Sequence, residues 1–181
     1  MRLGIDIDQT IVNTVEVALA YGKKYRKHLN LKIEEDLYTG EGFKFYTKYL
    51  VEILKSVSLF PGVNKALNIL KENGFELIFI TARGSQCEFD FTYNHEEITK
   101  EIFKKYNVPH DKIIYKCYPK GEVAFKEEID YFIDDKEDNL DDIAKYGIKC
   151  LKKVEDMADV SKHLKFTNWD DILKYLLEEA L

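Results

Sequence analysis

Two hydrophobic periodicities alternate along the chain. Short, nearly continuous apolar runs are separated by longer stretches in which apolar residues recur every three or four positions. The short runs predict β-strands at 3–7, 76–81, 112–117, 131–133 and 148–154. The longer stretches predict helices at 63–73, 94–106, 121–128, 138–146 and after Asn168. Strands without a polar face that alternate with helices are typical of an α/β protein whose parallel sheet is flanked by helices.

Residues 13–60 differ from this alternation. Asn13, followed three residues later by Glu16, is typical of a helix start, and the apolar residues that follow have helical spacing. A break is expected at 39–42, and a second helix is predicted across 46–57. The segment therefore predicts a small helical cap inserted directly after the first strand.

The insertion divides the chain into a core formed by residues 1–12 and 61–181 and a cap formed by 13–60. The cap is rich in tyrosine, at Tyr21, Tyr25, Tyr38, Tyr46 and Tyr49. Tyrosines can stack on a nucleobase. A cap of this size also needs an aromatic core of its own, and we favour that interpretation.

Composition narrows the class of protein. At 181 residues the chain is long enough for one domain with an insertion and a buried core. The net charge of −6 argues against a nucleic-acid polymer as partner, since that partner requires a basic face. Three scattered cysteines and four scattered histidines indicate neither a disulfide framework nor a zinc site. Without a secretory signal or a bilayer-length apolar run, we expect a cytoplasmic protein with no membrane partner; a homo-oligomer is left open.

Polar side chains stand where three of the predicted strands end. Asp6 and Asp8 close the first strand, Thr81 closes the second along the chain, and Asp134 and Asp135 follow a buried strand. In an open α/β sheet such ends meet at one crevice. Four carboxylates in one place favour Mg²⁺, whereas solvated acids at a strand end are the simpler alternative. Glycine-rich dinucleotide and P-loop motifs are absent from the sequence.

These motifs resemble those of the haloacid dehalogenase superfamily of phosphohydrolases. Residues 6–10, DIDQT, match its first motif, and Thr81 matches its second. A lysine upstream of the last acidic pair is the third, and 133–135 with Asn139 match the fourth. The run 61–83, with its ITAR ending, and the helical insertion are most similar to the 5′(3′)-deoxyribonucleotidase-like group. The resemblance spans nearly the whole chain and implies a Rossmann-like core.

The resemblance implies a role for each acidic residue. Asp6 would be the nucleophile that forms an aspartyl-phosphate, and it would also bind Mg²⁺. Asp8 would act as general acid and then as base, lending the metal only its backbone carbonyl. Asp134 would be the main side-chain metal ligand, and Asp135 would bind through water or support the site. Thr81 would hydrogen-bond a phosphoryl oxygen.

The basic residues are less determined by the motifs. Lys120 and Lys126 are both candidates for the third motif, and we prefer Lys120 because it lies at a strand-to-helix turn. A lysine there would neutralise phosphate charge. Backbone amides at Ile7–Asp8 and Ala82 would bind phosphoryl oxygens. Arg83 could contact phosphate or anchor its loop. Thr10 is expected to support the turn after the first strand.

The sequence thus predicts Mg²⁺-dependent hydrolysis of a small phosphomonoester beneath the cap, with a (deoxy)nucleoside monophosphate as first choice. The tryptophan-bearing segment that we associate with nucleotide selection cannot be placed in residues 86–93, and the one tryptophan is Trp169. A sugar or amino-acid phosphate is therefore the alternative substrate. A phosphate-binding regulatory protein that does not turn over is the alternative outside enzymes.

Overall fold

A computed structural model describes residues 1–84 and 94–180. Within them, the strands are β1 (Arg2–Ile5), β2 (Glu76–Ile80), β3 (Lys112–Ile114), β4 (Tyr131–Asp134), β5 (Lys149–Lys153) and β6 (Leu164–Phe166). The α-helices are α1 (Thr14–Tyr25), α2 (Gly40–Ser56), α3 (Val63–Glu72), α4 (His95–Tyr106), α5 (Gly121–Lys126), α6 (Glu137–Ala144) and α7 (Trp169–Glu179). Two 3₁₀ helices, Lys27–Leu29 and Glu34–Tyr38, lie between α1 and α2.

The strands form one parallel sheet in the order β3-β2-β1-β4-β5-β6. Leu3 of β1 is aligned with Leu77 of β2 on one side and with Tyr131 of β4 on the other. The strand order runs outward in opposite directions from the β1–β4 pair, which leaves a crevice beyond the carboxyl ends of these strands. The predicted α/β architecture is confirmed.

Helices cover both faces of the sheet. One face packs Leu3 and Ile5 against apolar residues of α3, α4 and α7, and the other face packs Ile78 and Phe132 against α5 and α6. Gly4 is required in β1 because a β-carbon there would lie 2.3 Å from the Phe132 ring. Trp169, fully buried, donates its indole N–H to the Thr10 carbonyl at 3.2 Å, which ties α7 to the turn after β1.

Several element limits differ from the sequence prediction. β1 ends at Ile5 rather than at residue 7, since the chain turns into the loop that carries Asp8. β3 ends at Ile114, before Lys116, whose φ of 60° is incompatible with a strand. β6 was not predicted, because three residues are too short to show a periodicity.

The cap has its own small core after β1. Ala18 of α1, Leu37 of the second 3₁₀ helix, and Phe45 and Ile53 of α2 form it. The predicted break at 39–42 is shortened to Thr39, which is extended, because α2 already begins at Gly40. Gly42 in its first turn allows the 3₁₀ helix to approach, since a β-carbon there would lie 1.7 Å from the Asp36 carbonyl oxygen.

The two connections between cap and core lie side by side. Asn13 precedes α1 but makes no side-chain cap; its Oδ1 instead accepts a hydrogen bond of 2.7 Å from Ser58 N. The helix start predicted at Asn13 is confirmed, but the Asn13 side chain does not cap α1. Phe60 N donates to the Ile11 carbonyl at 2.9 Å. These bonds bring the ends of 13–60 together, and the limits of the cap as a separate domain stay a prediction.

The cap tyrosines are divided between two environments. Tyr21 packs against the rings of Tyr25 and Tyr49, at centroid distances of 4.9 and 6.3 Å. Tyr38 and Tyr46 face each other at 5.9 Å and line the crevice. Among the residues described, no helix has the length and apolar character that a membrane crossing requires.

Candidate active site

The two aspartates of the first motif diverge because β1 stops before the second of them. Asp6 N donates to the Ile133 carbonyl at 2.9 Å, which continues the β1–β4 pairing by one residue. The chain then turns, with Ile11 N and Val12 N both donating to the Ile7 carbonyl and Gln9 at a φ of 56°. Asp6 therefore stays between the strands while Asp8 lies in the turn.

Lys120 is enclosed between two carboxylates. Its Nζ lies 2.5 Å from Asp6 Oδ1 and 2.7 Å from Asp134 Oδ2, and the side chain is only 1% exposed. Lys126, the other candidate, is exposed and pairs with Glu122 on its own helix. The structure thus brings Lys120 into the crevice and leaves Lys126 outside it.

Burial raises the pKa of Asp6 to about 7, against the opposing effect of the Lys120 charge. Burial also raises the pKa of Asp135 well above its ordinary value, and the charges of Asp134 and Asp6 add to that rise. The single positive charge of Lys120 therefore does not offset the negative charges of Asp6, Asp134 and Asp135.

Three of these carboxylates could share a cation. Asp6, Asp134 and Asp135 each offer an oxygen, and the three oxygens lie within 4.8 Å of one another. Asp134 is oriented by Lys136 N, which donates to its Oδ1 at 2.8 Å, and by the Asn139 amide at 3.0 and 3.1 Å. An all-oxygen set of mutually repelling carboxylates fits a hard divalent cation such as Mg²⁺.

Asp8 has a different environment, dominated by Arg83. The guanidinium contacts both carboxylate oxygens, Nε to Oδ2 at 2.8 Å and Nη2 to Oδ1 at 2.7 Å, and the Thr14 hydroxyl donates to Oδ1. Burial acts to raise the pKa of Asp8, but Arg83 and Thr14 together hold it below its ordinary value. In this arrangement Asp8 is ionised.

The loop after β2 carries the second motif. Thr81 N donates to the Ile114 carbonyl at 3.0 Å, and Cys117 N donates to the Thr81 carbonyl at 3.1 Å. The Thr81 hydroxyl oxygen accepts a bond of 3.2 Å from Arg83 N. Thr81, Ala82 and Arg83 all line the crevice.

The cap closes one side of the crevice with an aromatic and aliphatic wall. The cavity between this wall and the core measures about 230 Å³. Its lower part is formed by the polar residues described above, and its wall is formed by Tyr38, Phe43, Tyr46, Leu50 and Leu54. Such a combination of a polar end and an apolar body is typical of a small-molecule site.

Known proteins are similar to this chain in sequence or in fold. A Bacillus cereus protein named as a candidate nucleotidase is 29% identical, over 95% of this chain and 96% of that protein. A nucleotidase of Clostridium acetobutylicum is 26% identical, over 95% of this chain and 91% of that one. A haloacid dehalogenase-like hydrolase of Streptococcus pneumoniae superimposes with a TM-score of 0.64 at 14% identity, over 97% of both chains. The chain therefore shares its fold with haloacid dehalogenase-like hydrolases and is similar in sequence to proteins that carry nucleotidase names.

No protein-family model matches the chain. The predicted site residues that the structure brings together are Asp6, Asp8, Thr81, Ala82, Arg83, Lys120, Asp134 and Asp135. Residues 86–93, in which the sequence shows no tryptophan-bearing segment, lie outside the described part of the chain.

Several residues of the crevice were missed by sequence reasoning. Thr14, Glu34 and Lys136 contribute polar groups to it, and His95 of α4 lines it. Lys136 could have been found, because it directly follows Asp135. Thr14 and Glu34 lie in a segment that was interpreted as cap packing, and no local pattern distinguishes them.

Proposed function

We propose that this protein hydrolyses phosphomonoesters with Mg²⁺ as cofactor, through an aspartyl-phosphate on Asp6, and that its substrates are (deoxy)nucleoside monophosphates. The observation that carries this proposal is the buried contact of Lys120 with Asp6 and Asp134 at the carboxyl ends of β1 and β4. A carboxylate nucleophile, a cation beside it and an acidic pair within 4.8 Å are the groups that phosphoryl transfer requires.

The cofactor would be held by the side chains of Asp6, Asp134 and Asp135 and by the Asp8 carbonyl. When bound, Mg²⁺ supplies positive charge that offsets the phosphoryl oxygens and keeps Asp6 ionised. Lys120 adds a fixed positive charge at the same place, because its ammonium is held between Asp6 and Asp134.

In the proposed reaction, an Asp6 oxygen forms a bond to phosphorus while the ester oxygen leaves and takes a proton from Asp8. Asp8 then takes a proton from water, whose oxygen attacks phosphorus and frees Asp6 and inorganic phosphate. Thr81 and the amide of Ala82 would hydrogen-bond the phosphoryl oxygens.

Asp8 must be protonated to act as an acid, whereas Arg83 keeps it ionised. We propose that Arg83 transfers one of its bonds to the incoming phosphate. The pKa of Asp8 would then rise toward its ordinary value, so that the ester can be protonated. Arg83 would then contact both Asp8 and the phosphate, and phosphate contact is one of the two roles that its position after Thr81 leaves open.

Two observations support a nucleoside as the remainder of the substrate. The wall of the cavity is aromatic and aliphatic, with Tyr38, Phe43 and Tyr46 among its residues. The relatives from Bacillus cereus and Clostridium acetobutylicum carry nucleotidase names. The substrate would be a free small molecule rather than a nucleic-acid polymer or a membrane component, and a cytoplasmic location stays a prediction.

Phosphate release from a panel of esters with Mg²⁺ tests the proposal. The panel contains deoxynucleoside monophosphates, sugar phosphates and phosphoamino acids. We expect the highest kcat/KM with a nucleoside monophosphate and a loss of roughly 10³-fold or more in Asp6→Asn. A higher kcat/KM with sugar phosphates would contradict nucleoside monophosphates as the substrate class. Near-normal turnover by Asp6→Asn would refute the nucleophile, and phosphate binding without turnover would indicate a regulatory protein.

A further inference from the structure

Glu34 places a cap carboxylate in the wall of the crevice. It begins the second 3₁₀ helix of the cap and lines the same cavity as Asp6 and Asp135. Its Oε1 lies 2.6 Å from Nζ of Lys136, and that ammonium lies 3.7 Å from Asp135 Oδ2. The Lys136 charge is therefore shared between a carboxylate of the cap and a carboxylate of the core.

The other cations of the cavity are also paired. Among the described residues that line it, the lysines and arginines are Arg83, Lys120 and Lys136. Arg83 is paired with Asp8, and Lys120 is paired with Asp6 and Asp134. Burial lowers the pKa of His95, and the neighbouring Arg83 charge lowers it further, so this ring is neutral near pH 7.

The balance of charge limits what the site can accept. When the carboxyl groups of Asp6, Asp8, Glu34, Asp134 and Asp135 are all ionised, they face three cations among the described residues, an excess of two negative charges. A divalent cation would offset this excess, and the phosphoryl group of the substrate would then add its own negative charge. A further anionic group on the substrate would meet Glu34 and an apolar wall.

We propose that Glu34 is a specificity-determining residue that excludes phosphomonoesters whose leaving group carries a second negative charge. The substrates that remain have an uncharged leaving group, a class that contains nucleosides and excludes bisphosphates and phosphorylated carboxylic acids. The inference rests on the proposed function, since it concerns the same cavity. The physical basis is electrostatic repulsion. The negative charge of Glu34 lowers the affinity for a substrate whose leaving group is negatively charged, and it does not contribute to binding of a substrate whose leaving group is uncharged.

Two aryl phosphates of nearly equal size separate the effect of leaving-group charge from the effect of leaving-group size. 4-Carbamoylphenyl phosphate has an uncharged leaving group, and 4-carboxyphenyl phosphate carries one additional negative charge. We expect Glu34→Gln, which keeps the shape and removes the charge, to reduce the wild-type preference for the carbamoyl ester by about tenfold in kcat/KM. Comparing this ratio between variants cancels the intrinsic reactivities of the two esters.

Two further variants control for structure. Glu34→Asp retains the charge and is expected to retain the discrimination. Glu122→Gln removes an exposed glutamate that contacts Lys126 at the same 2.6 Å outside the crevice, and it should keep the wild-type ratio. Thermal melting of each variant verifies that it is folded. An unchanged ratio in folded Glu34→Gln would overturn the proposal.

A binding measurement separates this proposal from the hydrolytic one. Calorimetry with Mg²⁺ compares 4-carbamoylbenzylphosphonate with 4-carboxybenzylphosphonate, neither of which can be hydrolysed. Wild-type protein should bind the uncharged compound about tenfold more tightly, and Glu34→Gln should bind both alike. If this order holds without turnover of any ester, selectivity stands and hydrolysis is refuted. Equal affinities for wild-type protein, or no binding of either, overturn the proposed exclusion.

Discussion

Arg83 and Asp8 form a two-point ion pair, with Nε to Oδ2 at 2.8 Å and Nη2 to Oδ1 at 2.7 Å. The third guanidinium nitrogen, Nη1, donates to the Thr99 hydroxyl of α4 at 2.9 Å. One side chain thus connects the loop after β2, the turn after β1 and a helix. The planar guanidinium matches the carboxylate at two points, a geometry that lysine cannot reproduce.

Arg83→Met should damage both stability and turnover. It leaves Asp8, whose side chain is 35% exposed, without its counter-charge, so we expect a loss of about 1–2 kcal/mol in the free energy of unfolding, measured with urea. The kcat/KM for an aryl phosphate should fall tenfold or more. Arg83→Lys should recover only part of both. Arg2, whose side chain is 37% exposed, pairs with Glu76 away from the crevice, so Arg2→Met should leave kcat/KM unchanged. An equal loss of kcat/KM in the Arg2 and Arg83 variants would contradict a specific role for Arg83.

Replacement of the two candidate lysines by methionine should affect kcat differently. Lys120→Met removes a buried charge from between Asp6 and Asp134, and we expect kcat to fall by about 10²-fold or more. Lys126→Met removes an exposed charge and should change kcat by less than about twofold. Steady-state phosphate release measures both. A larger loss in the Lys126 variant would mean that the third motif has been placed wrongly.

Mg²⁺ should stabilise the folded protein through the acidic cluster. Ligand binding to the native state alone adds about 2.7 kcal/mol at a hundred times its Kd, which raises the melting temperature. Asp134→Asn and Asp135→Asn should abolish this rise, and EDTA should abolish turnover. Asp141→Asn provides the control, because Asp141 belongs to a separate acidic group with Glu137 and His163. A rise that survives in Asp134→Asn would place the cation elsewhere.

Glu137 should contribute stability that depends on pH. Burial opposes ionisation, but bonds from Lys152 Nζ, Lys162 N and Ser161 Oγ lower its pKa from 4.5 to about 2. Because the pKa of Glu137 is lower in the folded protein than in the unfolded chain, its ionisation stabilises the fold at pH values above the unfolded-state pKa. This contribution is lost as the pH falls toward 2. We expect Glu137→Gln to lower the free energy of unfolding by about 1–2 kcal/mol at pH 7 and hardly at all near pH 2.

Denaturant titrations at several pH values test this dependence. Glu178→Gln is the matched control, because Glu178 is 63% exposed and comes no nearer than 4.0 Å to Lys174. This substitution should lower the free energy of unfolding by less than about 0.5 kcal/mol at any pH. A Glu137→Gln effect of the same size at both ends of the pH range would refute the proposed ionisation.

Much of this site could be predicted from the sequence because its signals are local. Asp6, Thr81 and Asp134 each end an apolar run, and parallel strands align their carboxyl ends at one edge of the sheet. Lys120 was preferred over Lys126 on its place at a turn, and the structure encloses it between two carboxylates. The end of α3 was equally local: Gly74, with a φ of 81°, lies just after the helix.

The pairing of charges across elements depends on the three-dimensional packing of the chain. Arg83 lies 75 residues from Asp8, and Lys136 lies 102 residues from Glu34. Neither pair has a period or a motif, because which side chains meet depends on the path of the chain and on how the cap rests on the core. The strands, their polar ends and the groups available for chemistry therefore follow from the amino-acid sequence. The packing of cap, sheet and loops determined that Asp8 is held ionised and that Glu34 faces the crevice.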